Sequence, residues 1–337
     1  MTAVNTSSIP SLKLCDVRSE EHFPHNELVC HGTKVYRYNS LGFRGEEFRP
    51  EAKFRVAAFG CSIAFGMGLD MEETFLHKLK LHIANSLGFT PDEVNLMVFA
   101  VGGHSNDFAL RTVLNYAVEV KPDLVIYNLV AMPRTELISR DGARNLNVGA
   151  ITAENIDFID DDKLLAFFDL YEPEYGFVNA AKNIVLAQLY LQRAGIPSLV
   201  VNGTVNVEQF RNHSMCADYI RQLDFDNYIE HSFIKHKADL AADDNHAGAI
   251  TNSAIALHIF PALARVFRNN GREEWAEKFA SAAEIAQAGS AEYAYSMSIV
   301  YEGRGDRSGA LEAIRKAVEL TPEDELCQSR LAALQQA

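Results

Sequence analysis

Ser62, on a turn after an apolar strand, and His246, three residues beyond Asp243, are the side chains of this chain best suited to covalent chemistry. The run Phe54-Arg55-Val56-Ala57-Ala58-Phe59 is short, mostly apolar and β-compatible, and it stops at Gly60. Glycine turns there without a Cβ penalty, so Ser62 is expected to emerge, exposed, at the carboxyl end of a strand, where open α/β sheets form their ligand crevices. A serine hydroxyl is a weak nucleophile until a neighbouring base takes its proton. Asp243-Asp244-Asn245-His246 offers that base together with two carboxylates able to orient it. Gly-x-Ser and Asp-x-x-His are short strings that also arise by accident, with the serine capping a turn and the histidine on the surface. Their order argues for chemistry, because Ser62 follows the first strand of the region and His246 precedes its last helical stretch, from Gly248 to Phe267.

The elements that must position these groups can be read from periodicity. Apolar β-like runs at 54–59, 94–101, 123–131 and 197–202 alternate with helical patterns at 72–87, 105–120 and 178–194. In the first helix Phe75, Leu76, Leu79 and Ile83 share a face, with Glu72 and Glu73 in the first turn. Alternation of this kind implies right-handed crossovers and a doubly wound parallel sheet with helices on both faces, a three-layer α/β/α fold. Residues 135–176 interrupt the rhythm, acidic at 157–162 and aromatic at Phe167, Phe168, Tyr171 and Tyr175. An insertion after a strand end either shapes a substrate pocket or forms a surface elaboration or oligomer contact. A shorter acidic-aromatic segment, 222–236, is a candidate for the opposite wall.

Residues 35–268 resemble the SGNH or GDSL-type serine hydrolases. The resemblance rests on Asn39-Ser40-Leu41-Gly42-Phe43-Arg44-Gly45 as a lead-in, on Gly60-Cys61-Ser62 with Phe65-Gly66-Met67-Gly68 as the nucleophile block, and on Phe99-Ala100-Val101-Gly102-Gly103-His104-Ser105 as the second block. Pro122-Asp123-Leu124-Val125-Ile126-Tyr127 matches the third strand, and Asp243 with His246 the last block. The likeness implies a flavodoxin-like sheet and a Ser62–His246–Asp243 triad, with Asp243 favoured over Asp244 by the family spacing. It also implies an oxyanion hole from the N–H groups of Ser62 and Gly103. His246 would take the Ser62 proton as the serine attacks an ester carbonyl, and water would then release the acyl group. The third block departs from the family, whose asparagine amide donates to the oxyanion. Asn128 is the only local amide, about four residues early, and either fills that role through a bulge or is a strand residue bonded to backbone. Asn106 and Arg134 are the other candidate donors. His104 faces either the crevice or solvent, and Cys61 reads as a small packed side chain behind the turn. The implied activity is removal of an acyl group, such as acetyl, from a carbohydrate or other small-molecule ester. An acyltransferase using the same serine, or an SGNH-fold scaffold holding a partner, are the alternatives. No cofactor or metal is called for, and the scattered pairs His22/His25, His77/His82 and His231/His236 lack zinc-protease spacing.

Composition narrows the partners. The net charge is −14, from 45 acidic and 31 basic side chains, which disfavours a phosphate backbone. Five cysteines, scattered and odd in number, fit reduced thiols. No run of eighteen apolar residues predicts a membrane span, and the polar start, 1–10, lacks a signal-peptide core, which points to the cytoplasm.

Residues 1–34 read as an amino-terminal extension and 269–337 as a small all-α appendage. Ala291–Asp324 resembles one tetratricopeptide repeat, and Gly305, Ala310 and Ala317 recur 34 residues earlier as Gly271, Ala276 and Ala283. One and a half repeats do not stand alone. This segment is expected to lean on the hydrolase-like region, pack against another subunit, or hold a protein partner.

Overall fold

The computed structural model describes residues 28–31, 33–139, 142–147, 162–203, 212–229 and 237–336. A hairpin, Leu28–His31 (β1) with Lys34–Arg37 (β2), precedes Phe54–Gly60 (β3), Val94–Ala100 (β4) and Leu124–Leu129 (β5). A second hairpin, Arg134–Ser139 (β6) with Gly142–Asn147 (β7), follows, then Ser198–Asn202 (β8) and Tyr228–Ile229 (β9). Five strands form one sheet in the order β4-β3-β5-β8-β9, every pair parallel. Strands β4 and β5 are buried along their whole length because a parallel sheet is covered on both faces.

Alternation along each strand divides the core in two. Phe54, Val56, Ala58, Leu124 and Ile126 face one layer, and Ala57, Phe59, Val125, Tyr127 and Leu129 face the other. The helices comprise Ser62–Phe65 (α1), Phe75–Leu87 (α2), Asn106–Val120 (α3), Asp162–Leu170 (α4), Pro173–Arg193 (α5), Ala249–Ile259 (α6) and Ala262–Asn269 (α7). They continue with Glu273–Gly289 (α8), Ala291–Gly303 (α9), Arg307–Leu320 (α10) and Glu325–Gln336 (α11). Side chains of α2, α6, α7 and α8 fill the first layer and those of α3 and α5 the second. The architecture is the three-layer α/β/α doubly wound sheet expected from periodicity, with an all-α carboxyl-terminal region.

Local capping moves several boundaries. Residues 71–73 form a separate 3₁₀ turn in which the Glu73 carboxylate accepts from the Asp70 N–H at 2.8 Å, so Glu72 and Glu73 do not belong to α2. Thr74 caps α2 instead, its hydroxyl oxygen accepting the His77 N–H at 3.2 Å. Pro173 opens α5 five residues earlier than the pattern predicts, in the position where a missing N–H costs nothing. Strand β9 is two residues long, too short to leave an alternating signature. In the 135–176 insertion, the hairpin β6–β7 and α4 are described, whereas 148–161, with most of the acidic run, lies outside the described residues. Of the segment 222–236, residues 230–236 lie outside, and Leu223 and Tyr228 are core residues of the second layer.

The carboxyl-terminal helices share the main core. Trp275 of α8 packs its ring 5.1 Å from Phe54 and 5.3 Å from Phe267, and Phe279 stacks on Phe267 at 5.1 Å. Burying an apolar side chain fully contributes about 1.5–3 kcal/mol, so the buried Phe279 helps fasten α8 to the core. The turn between α7 and α8 places Gly271 at φ +69° and the turn between α9 and α10 places Gly305 at φ +76°, so the 34-residue spacing corresponds to two successive helix pairs with equivalent left-handed turns. Ala276, Ala283, Ala310 and Ala317 are all buried where those helices approach. The combined stretch Ala249–Asn269 is long and apolar enough by composition to cross a membrane, although polar residues interrupt its apolar run. Its most apolar window is 67% buried, and Ile255, Ile259, Leu263 and Phe267 serve the core.

Candidate active site

Strand β3 delivers Ser62. Gly60 ends the strand with no room for a side chain, since a Cβ there would stand 2.9 Å from the Asn128 carbonyl oxygen of the neighbouring β5. Ser62 then begins α1 and is buried, 6% exposed, contrary to the expectation of an exposed serine, with Gly102 after β4 packed beside it and Ala131 after β5 lining the same cavity. Its hydroxyl approaches Cys61 Sγ at 3.9 Å and, among the described residues, has no hydrogen bond to His246.

The segment after α1 is held from outside by the lead-in residues. Arg44, almost fully buried, donates to the carbonyl oxygens of Phe65 at 2.8 Å, Gly66 at 2.7 Å and Leu69 at 2.7 Å, and lies over the Tyr36 ring at 4.2 Å. Burial pushes its guanidinium below the ordinary arginine value, and the nearby Tyr36 and Tyr38 oppose that shift. The Tyr36 hydroxyl accepts the Gly68 N–H at 2.8 Å. The Asn39-to-Gly45 lead-in therefore fixes the nucleophile loop, a role that its residue types alone do not reveal.

The same loop touches the segment carrying the base. Gly68 O accepts the Ala242 N–H at 3.0 Å, and a Cβ on Gly68 would meet Ala241 Cβ at 2.8 Å and Asp243 Oδ1 at 3.0 Å. Gly68 also has φ +77°, so alanine there is strained twice over. We expect Gly68→Ala to lower thermal stability by about 1–3 kcal/mol and to reduce kcat by displacing Asp243, read from a melt and steady-state kinetics together.

Asp243 orients His246 through three bonds. Its Oδ2 lies 2.5 Å from the His246 Nδ1, and its Oδ1 accepts the backbone N–H groups of His246 at 3.0 Å and Asn245 at 3.2 Å. Burial alone would raise this carboxyl, but the His246 and Asn245 donors and the imidazole hold it below the ordinary aspartate range. Asp244 adopts φ +54° and makes no contact with the imidazole among the described residues, so the carboxylate beside His246 is Asp243. With Nδ1 engaged, Nε2 is the ring nitrogen left to serve a substrate or nucleophile.

Ser62 and His246 line one cavity of about 350 Å³, together with Met67, Ala131, Arg134 and Lys237. Of the other sequence candidates, Arg134 belongs to this wall and His104, Asn106 and Asn128 do not. Asn128 is a buried strand residue whose amide donates to the Val201 carbonyl at 3.4 Å, the backbone-bonded arrangement that is one of its two readings. Asn106 clamps the end of β5, donating to Val130 O at 2.9 Å and accepting the Val130 N–H at 3.0 Å. His104 is buried, neither solvent-facing nor part of the cavity wall, its Nδ1 3.0 Å from Gly102 O and its ring against Phe108 at 4.4 Å. Gly103 is exposed at φ +82° and outside the lining, while Gly102 packs beside the nucleophile: a Cβ on Gly102 would lie 4.0 Å from Ser62 Cβ. Cys61 is buried, as are the free thiols of Cys216 and Cys327.

Sequence reasoning missed Lys237, which donates from Nζ to the Asn245 carbonyl, and Asn252, which lines the cavity and whose Oδ1 accepts the Phe75 N–H at 2.9 Å. Neither stands in a motif. It also missed Asp107, whose carboxylate collects donors from β6 and α5. Only the folded arrangement brings those residues together.

No protein-family model matches the chain, and no curated protein matches its sequence. Among solved structures, the chain is similar to TesA at 12% identity and a TM-score of 0.39, over 63% of this chain and 99% of that one. It is also similar to the psychrotrophic esterase EstA from Pseudoalteromonas sp., at 16% identity and a TM-score of 0.40, over 64% of this chain and 99% of that one. A third is the acetyl xylan esterase AlAXEase, at 15% identity and a TM-score of 0.29, over 68% of this chain and 99% of that one.

Proposed function

We propose that this chain is a serine ester hydrolase of the SGNH or GDSL type, removing a short acyl group such as acetyl from a carbohydrate or another small-molecule ester. The observation that carries the reading is the shared cavity: Ser62 and His246 line it together, and His246 already has its Nδ1 on Asp243. In the proposed step the Ser62 hydroxyl turns from Cys61 to Nε2, which takes the proton as Oγ attacks the ester carbonyl. The imidazolium so formed rests on Asp243, and Nε2 returns the proton to the departing alcohol. Water repeats the sequence on the acyl-enzyme and releases the acid.

Two backbone donors suit the oxyanion. The Ser62 N–H heads a helix and the Gly103 N–H belongs to the peptide that joins it to Gly102, beside Ser62. Neither has a hydrogen-bond partner among the described residues. With the Asn128 amide engaged by the Val201 carbonyl, the site as proposed lacks the family's amide donor, and loss of one such donor typically lowers turnover about 10²- to 10³-fold. Slow turnover of simple esters is the corollary.

The test is a serine-reactive phosphonate followed by peptide mass mapping. We expect one adduct per chain, on the peptide carrying Ser62, and loss of esterase activity in proportion to labelling. Labelling elsewhere while activity persists, or no labelling and no turnover, would remove the reading. Supplying an alcohol during turnover separates transfer from hydrolysis, since a transferase delivers the acyl group to the alcohol in preference to water.

A further inference from the structure

We propose that the Ser62–His246 cavity accepts an ester carrying a negatively charged group, with Arg134 as the anion ligand and Lys237 as a second cation. The bond cleaved rests on the esterase reading above; the charge of the ligand rests on the two cations alone. Both side chains line the cavity, in a chain whose net charge is −14. Several arginines elsewhere are matched: Arg44 to three carbonyls, Arg111 to Glu136 at 2.6 Å, Arg330 to Glu302 at 2.8 Å. Arg134 is not. Among the described residues its guanidinium has no carboxylate and no hydrogen bond, and its Nε is buried without an acceptor. Among the described residues Lys237 Nζ meets only the neutral Asn245 carbonyl. The Nε of Arg134 is a donor shut away from water without an acceptor, which is unfavourable, and a carboxylate or similar anion in the cavity supplies the missing one.

The position of Arg134 is built into the fold. Its backbone N–H closes a turn on Ala131 O at 3.2 Å. The next two residues are anchored to one carboxylate: Asp107 Oδ2 accepts the Thr135 hydroxyl at 3.2 Å and the Glu136 N–H at 3.1 Å. The amides of Asn179 and Asn183 on α5 donate to the same Asp107 at 2.9 Å each. The backbone at Arg134 is thus fixed by groups that touch no substrate, and a planar guanidinium held in this way matches a carboxylate through two parallel hydrogen bonds. In a low-dielectric cavity two unmatched cations also focus the local potential on an incoming anion.

The anion sits either on the acyl side or on the alcohol side, and matched ester pairs separate the two. One pair is 4-nitrophenyl acetate against 4-nitrophenyl hemisuccinate; the other is phenyl acetate against 4-acetoxybenzoate. We expect one charged ester to be preferred, and its kcat/KM ratio over the neutral partner to fall about 10- to 100-fold in Arg134→Ala, chiefly through KM. Arg134→Lys should restore part of that ratio, and Lys237→Ala should lower it by less. An unchanged ratio in both pairs overturns the proposal. So does an equal fall for charged and neutral esters through kcat, which would make Arg134 an oxyanion donor. Should the wild type hydrolyse none of these esters, calorimetric titration of Ser62→Ala with the two charged esters decides. Binding that disappears on adding Arg134→Ala upholds the anion site while the esterase reading fails, and absence of binding overturns the anion site.

Discussion

Replacement of Ser62 by alanine should lower kcat for a short-chain activated ester by about 10⁴- to 10⁶-fold while leaving the fold intact. The hydroxyl makes no bond that the structure depends on: its neighbour is the Cys61 thiol at 3.9 Å, a weak contact whose loss leaves no buried charge. The variant should therefore melt close to the wild type, and the kinetic loss reports the nucleophile. His246→Ala should fall by a similar factor, and the double variant should be little worse than either single one, because a nucleophile and its base act as a unit. Ester hydrolysis that survives in Ser62→Ala within about tenfold would assign the reaction to another group.

The second large effect belongs to Asp243→Asn, with an expected loss of about 10⁴-fold in kcat. The substitution keeps an oxygen to accept the His246 and Asn245 N–H groups, so the turn persists, but an amide neither fixes the Nδ1–H tautomer nor stabilises an imidazolium. Asp244→Asn is the control. That residue adopts φ +54°, which asparagine tolerates, and it does not contact His246 among the described residues, so turnover should stay near wild type. A pH series adds a separate readout. The folded-state value of the Asp243 carboxyl lies below its ordinary value of 3.8, so the charged form stabilises the fold above that pH. The stabilisation is lost as pH falls from 3.8 through the lower folded value. The melting temperature gap between wild type and Asp243→Asn should hold constant from neutral pH to about 5 and shrink below the ordinary carboxylate range. A gap that does not change on acidification would mean that the Asp243 charge does not support the fold.

Much of the frame was present in the residue pattern because a buried parallel strand must be apolar throughout and an amphipathic helix must repeat its apolar face. Phe54–Gly60, Val94–Ala100 and Leu124–Leu129 each lie within a residue or two of the predicted runs. Boundaries set by single hydrogen bonds were not legible in this way. The cap of Thr74 on His77 decides where α2 starts, and apolar spacing contains no record of it. The repeat of Gly271 and Gly305 was visible because a left-handed turn between two antiparallel helices favours glycine at one fixed place.

The sequence by itself determined the chemistry-bearing groups that are local in the chain: a serine directly after a strand, and an aspartate three residues before a histidine, a spacing short enough for the turn to bring Asp243 Oδ2 to 2.5 Å from His246 Nδ1. Tertiary structure decided what surrounds them. Asn106, Asn128 and His104 had suitable side chains, but the sheet and the α3 cap directed them to Val130, Val201 and Gly102, because buried polar groups must bond to the nearest backbone. Arg134 and Lys237, more than a hundred residues apart, share a cavity wall with Ser62 only because the loops after β5 and before α6 meet over the carboxyl end of β3. Proximity of that kind is set by the closure of long loops and the packing of layers, and no spacing within the chain encodes it.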